Sequence, residues 1–249
     1  MFASGHACDI CRERYSMPLR KLRKDVFRAN SMLAENGLVI RNWGNASAID
    51  RESGLVAIKP SGVAYQDLRP EDLVIVSIEG EVVEGSLRPS SDTVTHLELY
   101  RAWPDIGGVV HTHSFYATAF AQATSEIPCF GTTHADFCPG SIPCIRALRR
   151  EEVDDAYEVN TGKSIIEHFA DEALRPREYP GAVLSHHGPF AWGRNAVEAA
   201  DNALILESVA KMALMARFIN PSLMPIPDYL IQKHYLRKHG PGAYYGQAT

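Results

Sequence analysis

The 249-residue sequence predicts a single α/β domain, a sheet covered by helices on both faces. Three observations predict it. Two hairpin patterns fall early in the chain, helical patterns alternate with later apolar strands, and no Pro/Gly/Ser-rich linker divides it. With 45% apolar and 22% charged residues, such a chain buries a sizeable core without disulfide staples.

Residues 1–17 carry no apolar periodicity and read as a flexible N-terminal extension, leaving 18–249 as the domain. Within the extension, His6, Cys8 and Cys11 have the spacing of a zinc or redox pair, but no second pair follows them. From Pro18, Leu19, Leu22, Val26, Ala29, Met32 and Leu33 recur at spacings of three and four, the mark of an amphipathic helix, which stops at Asn36-Gly37. Residues 46–50 and 55–58 flank Ser53-Gly54, and residues 74–78 and 82–83 flank Glu79-Gly80-Glu81, which gives two hairpins. A helix is expected over 92–103. The apolar run 106–110 then reads as a buried strand, and residues 115–122 are rich in small and aromatic side chains. A second buried strand over 182–185 ends at His186-His187. Asn195 can cap a long Ala-rich helix with Ala199, Ala203, Leu206 and Ala210 along one face. Residues 228–247 are polar, aromatic and basic. They read as a solvated helix ending at Gly240, or as a tail reaching a neighbouring subunit.

The net charge of −5 and the lack of a basic stripe exclude nucleic acid as a partner. No stretch approaches the roughly 20 apolar residues that span a bilayer, and the N-terminus lacks a signal pattern, so a cytoplasmic protein without membrane contact is expected. The five cysteines are an odd number. Cys129, Cys138 and Cys144 sit among apolar or turn residues, as reduced thiols do.

His111 and His113 end the first buried strand. Side chains at i and i+2 share a face of an extended chain, so both imidazoles can hold one ion. His187 ends the second strand and offers a third nitrogen, the common protein contribution to an open zinc site, while alternation turns His186 away. The ligand set suits Zn²⁺, with Mn²⁺, Co²⁺ or Fe²⁺ as substitutes. Asp92, where a helix begins, is either an N-cap or a fourth ligand. Ser90 and Ser91 beside it, Lys59, Ser61 and Gly62, and Gly44 and Asn45 supply hydroxyls, a cation and close backbone approach, the parts of a phosphate cradle built from three loops. No H-E-x-x-H accompanies the histidines, which counts against a zinc hydrolase.

Taken together, W-G-N-A-S at 43–47, I-K-P-S-G at 58–62, P-S-S-D at 89–92, G-G-V-V-H-T-H at 107–113, G-T-T-H-A-D at 131–136, H-G-P-F-A-W-G at 187–193, K-H-Y-L-R-K-H-G at 233–240 and A-Y-Y-G-Q at 243–247 resemble the class II aldolase/epimerase family. The resemblance runs in order from about residue 18 to 247. Residues 1–17 and Ser185-His186 depart from the usual pattern. It implies a three-layer α/β/α fold with a mostly antiparallel sheet, and Asp92, His111, His113 and His187 as metal ligands. Gly44, Asn45, Lys59, Ser61, Gly62, Ser90 and Ser91 would bind phosphate and substrate, and Asp136 and Tyr245 would form an acid/base pair. It further implies a homotetramer whose active sites lie at subunit interfaces, the tyrosine being lent by a neighbour. Aspartate at 92, where the related aldolases place glutamate, favours the epimerase branch, with interconversion of L-ribulose 5-phosphate and D-xylulose 5-phosphate by C3–C4 cleavage and re-addition. A sugar-phosphate aldolase is the alternative.

Overall fold

The computed structural model describes residues 9–244, with side chains from residue 19 onward; His6, Cys8 and Tyr245 lie outside the described residues. The first helix, α1 (Asp9–Glu35), begins well ahead of the predicted start at Pro18, through the helix-favouring Arg12, Glu13 and Arg14. It stops where predicted. Leu38 N–H donates to the Leu33 carbonyl and Gly37 N–H to Ala34, the paired bonds of a Schellman ending.

Both hairpins form, β1 (Asn45–Asp50) with β2 (Leu55–Ile58) and β3 (Val74–Ser77) with β4 (Val82–Glu84). There follow α2 (Thr93–Ala102), β5 (Gly108–His111), α3 (Phe115–Gln122), α4 (Thr132–Ala135), β6 (Cys144–Ile145), α5 (Arg150–Asp171), β7 (Gly181–Leu184), β8 (Pro189–Gly193), α6 (Ala196–Ile219) and α7 (Asp228–His239). Asn195 caps α6 as expected, its side chain accepting from Glu198 N–H at 2.9 Å. The predicted C-terminal helix ends at Gly240.

One sheet contains all eight strands, in the order β4-β3-β2-β1-β5-β8-β7-β6, and only the β6–β7 pair is parallel. Both faces are apolar at alternate positions, because helices cover both. Ala57, Ile75 and Val110 face one way, packed with Leu22, Val26, Ala29 and Leu33 of α1 and Ala199 and Ala203 of α6. Their neighbours Val56, Val74, Val76 and Val109 face the other way, against Leu97 and Tyr100 of α2 and Ile165 and Phe169 of α5. This is the three-layer arrangement that the resemblance implied. Among the described residues no helix is long and apolar enough to cross a membrane.

Candidate metal centre and sugar-phosphate site

Antiparallel neighbours start and finish at the same end of a sheet, and here that end gathers the polar residues. Asn45 opens β1 opposite His111, which closes β5; His111 in turn stands opposite Phe190 at the opening of β8. Ile58 closes β2 on the same side, opposite Ser47, so that Lys59 follows into the same region. Between Asn45 and the strand it approaches, Gly44 has φ +89°, and a Cβ there would stand 3.0 Å from the His111 carbonyl oxygen. Only glycine combines that backbone with that closeness.

His111, His113 and His187 bring one ligand nitrogen each to within 4.8 Å of one another. The His111 and His113 Nε2 atoms are 3.1 Å apart, close to the separation that two bonds of about 2.0–2.1 Å to a shared ion subtend. His113 lies two residues beyond the strand end, yet keeps the expected side. His111 Nδ1 lies 3.0 Å from the Pro189 carbonyl oxygen, which can only accept, so Nδ1 carries a proton there and Nε2 is the nitrogen turned toward His113. Burial and the other imidazoles hold His187 down at about 3 and lower His113, leaving both neutral and able to ligate. His186 is absent from the group, as expected, but for a different reason: it adopts φ +64° in the turn between β7 and β8, where strand alternation no longer applies.

Asp92 stands at the N-cap of α2 but makes no side-chain cap bond. Its Oδ2 instead accepts from Asn45 Nδ2 at 2.7 Å. Burial pushes its carboxyl up, and His111, His96 and the Asn45 amide outweigh that and leave it lowered, hence ionised. Three imidazoles gathered beside an ionised carboxylate fit a divalent transition metal.

The predicted phosphate loops converge beside this group. Gly44, Asn45, Lys59, Ser61, Gly62, Ser90, Ser91, Asp92 and the three histidines all line one cavity of about 470 Å³. Backbone bonds stitch the loops together, Ser61 N–H to the Arg88 carbonyl and Ser90 N–H to the Lys59 carbonyl. Asn45 Nδ2 also donates to Ser90 Oγ at 3.1 Å, while Asn45 Oδ1 is buried without a protein partner. Lys59 is 1% exposed, and burial lowers its ammonium to about 8.

Comparison with known proteins agrees with this geometry. Residues 24–214 match the class II aldolase and adducin N-terminal domain. The chain belongs to the class II aldolase family. It is 59% identical over 229 residues to the L-ribulose-5-phosphate 4-epimerase UlaF of Salmonella paratyphi C, across 92% of this chain and 100% of that protein. Among solved structures, an L-fuculose 1-phosphate aldolase is similar with TM-score 0.72 and 25% identity, over 86% of this chain and 94% of that one. An aldolase II superfamily protein from Pseudomonas syringae shares the fold at TM-score 0.74 and 20% identity, over 94% and 92% of the two chains.

In this class II aldolase chain Asp136 does not join the histidine cavity. It follows α4 and lines another cavity of about 970 Å³, with Tyr235, Lys238 and His239 of α7. Its carboxylate accepts from Arg237 at 2.6 and 3.1 Å and pairs with His234 Nδ1 at 3.0 Å. Burial raises this carboxyl, and the Arg237 and His234 bonds overcome that and lower it. The larger cavity lacks a metal-capable cluster among the described residues, so the chemistry points to the smaller one.

Several residues that shape the class II aldolase site escape a reading of the sequence. Phe190 stacks on His111 with ring centroids 4.2 Å apart and planes at 18°. His96 is wholly buried, its Nδ1 2.7 Å from Ser47 Oγ, which also meets Tyr100 Oη at 2.8 Å. Tyr157 Oη lies 3.3 Å from His187 Nδ1. The proximity of Phe190 to His187 in the chain was the only signal for any of these contacts.

Proposed function

We propose that this class II aldolase family member is a divalent-metal-dependent L-ribulose-5-phosphate 4-epimerase, an isomerase interconverting L-ribulose 5-phosphate and D-xylulose 5-phosphate. The observation that carries the substrate is the 59% identity spanning the whole of the Salmonella epimerase. The carbon to be inverted bears no acidic hydrogen, so C3–C4 cleavage and re-addition on the opposite face is the route physical chemistry allows.

Asp92, His111, His113 and His187 would hold the ion, Zn²⁺ first and Mn²⁺ or another divalent transition metal in its place. When bound, the ion supplies Lewis acidity toward substrate oxygens. Lys59, Ser61, Gly62, Ser90 and Ser91 hold the phosphate through a cation, hydroxyls and backbone N–H groups, with Gly44 and Asn45 against the sugar. Holding the phosphate keeps the two-carbon fragment in place while its aldehyde turns. Asp136 and Tyr245 transfer the proton at the C4 oxygen, one for each face. A carboxylate fixed by Arg237 and His234 outside its own chain's histidine cavity suits service across a subunit boundary, in a cytoplasmic homotetramer.

Incubating the protein with L-ribulose 5-phosphate and identifying products tests this reading. Accumulation of D-xylulose 5-phosphate supports it. Net release of dihydroxyacetone and glycolaldehyde phosphate would instead favour the sugar-phosphate aldolase, the reading that similarity to the L-fuculose 1-phosphate aldolase keeps alive.

A further inference from the structure

His111 owes its orientation to a carbonyl and a stacked ring, and His187 has a different support. Its Nδ1 faces Tyr157 Oη at 3.3 Å, with the two rings 6.1 Å apart. Tyr157 comes from α5, none of whose residues lines the histidine cavity, and it reaches the site only through His187, with 37% of its surface exposed.

The placement of Tyr157 is built into α5. At Ala156 the backbone takes φ −143° and ψ 75°, so two helical segments meet at a break one residue before the tyrosine. Across this break Asn160 Nδ2 donates to the Glu152 carbonyl at 2.8 Å, tying the second segment back to the first. After the break, Thr95 Oγ1 of α2 donates to the Glu158 carbonyl at 2.7 Å, anchoring this turn to the helix whose N-cap is Asp92. Gly162 sits so close to Glu98 that a Cβ there would approach its Cβ to 2.7 Å, and α5 lies directly on α2 as a result. One helix thus carries Asp92 and also holds the turn bearing Tyr157.

We propose that Tyr157 is a positioning residue for the metal centre, its phenol oxygen accepting the Nδ1 proton of His187 and fixing the ring with the Nε2 lone pair turned inward. A neutral imidazole that ligates through Nε2 must carry its proton on Nδ1, and an oxygen partner there sets both tautomer and ring angle. This inference rests on the metal reading of the histidine group.

The test is Co²⁺ binding to the metal-free full-length protein, followed by absorption and chelator competition, for the natural chain and for Tyr157→Phe. The expected result is one Co²⁺ per natural chain and about tenfold weaker binding in the variant, with an unchanged thermal midpoint for the metal-free form. Equal affinity in the two proteins would overturn the role of Tyr157 while leaving the metal reading intact, as would weakened binding accompanied by an equal loss of metal-free stability. A natural chain that bound no Co²⁺ would overturn the metal reading and this inference with it.

Discussion

Lys59 follows directly on β2 with its ammonium out of water, 3.4 Å from the carbonyl oxygens of Asn42 and Pro60 and 4.8 Å over the Tyr65 ring. Carbonyls and a ring solvate the charge without neutralising it, which suits a group waiting for an anion. Lys59→Met is expected to raise KM for the sugar phosphate by about 10- to 100-fold, the value of one charge-assisted bond, with less change in kcat. In the free protein the cation is lost as pH rises through about 8, so KM should climb above that pH. The stability sign follows from the same shift. The folded value of about 8 is below the unfolded 10.5, the unfolded chain binds more protons between them, and stability attributable to Lys59 rises across that window. Denaturant titrations at pH 8 and 10 on both proteins should show a flatter rise for Lys59→Met. Asp136→Asn and Tyr245→Phe should each cut turnover by about 10²- to 10⁴-fold while bound metal, measured by elemental analysis, stays at the natural level.

At the scale of elements, α3 illustrates how a helix next to the site is held. Glu207 of α6 accepts from Ser114 Oγ at 2.8 Å and from Tyr116 and Ala117 N–H at 2.9 Å, a carboxylate set against the positive end of α3 directly after His113. Glu207→Ala should cost about 1.5–3 kcal/mol in chemical denaturation, through the lost bonds to a charged acceptor. The two hairpins, α1, α2 and α6 were legible because their signals are local: a period of two or about 3.6, a glycine turn, a side-chain cap. β8 was not, since Gly188-Pro189 reads as the end of a strand and here marks the start of one. α5 was not either, for it opens on a polar run of Arg and Glu and breaks at Ala156. His111, His113 and His187 could be grouped because each lies at or just past a strand end. Asp92 could not be decided from the sequence, because a cap and a ligand occupy the same place at a helix start. The missing cap bond and the contact with Asn45 Nδ2 turn it toward the cavity.

Across the whole molecule, the strand order does what no single segment can. β5 lies between β1 and β8, the first and last strands of the chain in sequence, and that insertion brings Asn45, His111 and Phe190 abreast with His187 in the adjoining turn. Pairing between residues 66 and 79 apart in the chain, Asn45 with His111 and His111 with Phe190, has no local signature. On the proposed function, the histidine group at this sheet end holds the ion on which epimerisation depends. The most direct test is to measure bound metal and D-xylulose 5-phosphate formation together, on the protein as purified, after chelation, and after the ion is returned. One ion per chain, activity lost with it and regained on its return is the predicted result. Full turnover by protein shown to contain no metal would contradict a metal-dependent reaction at this histidine group.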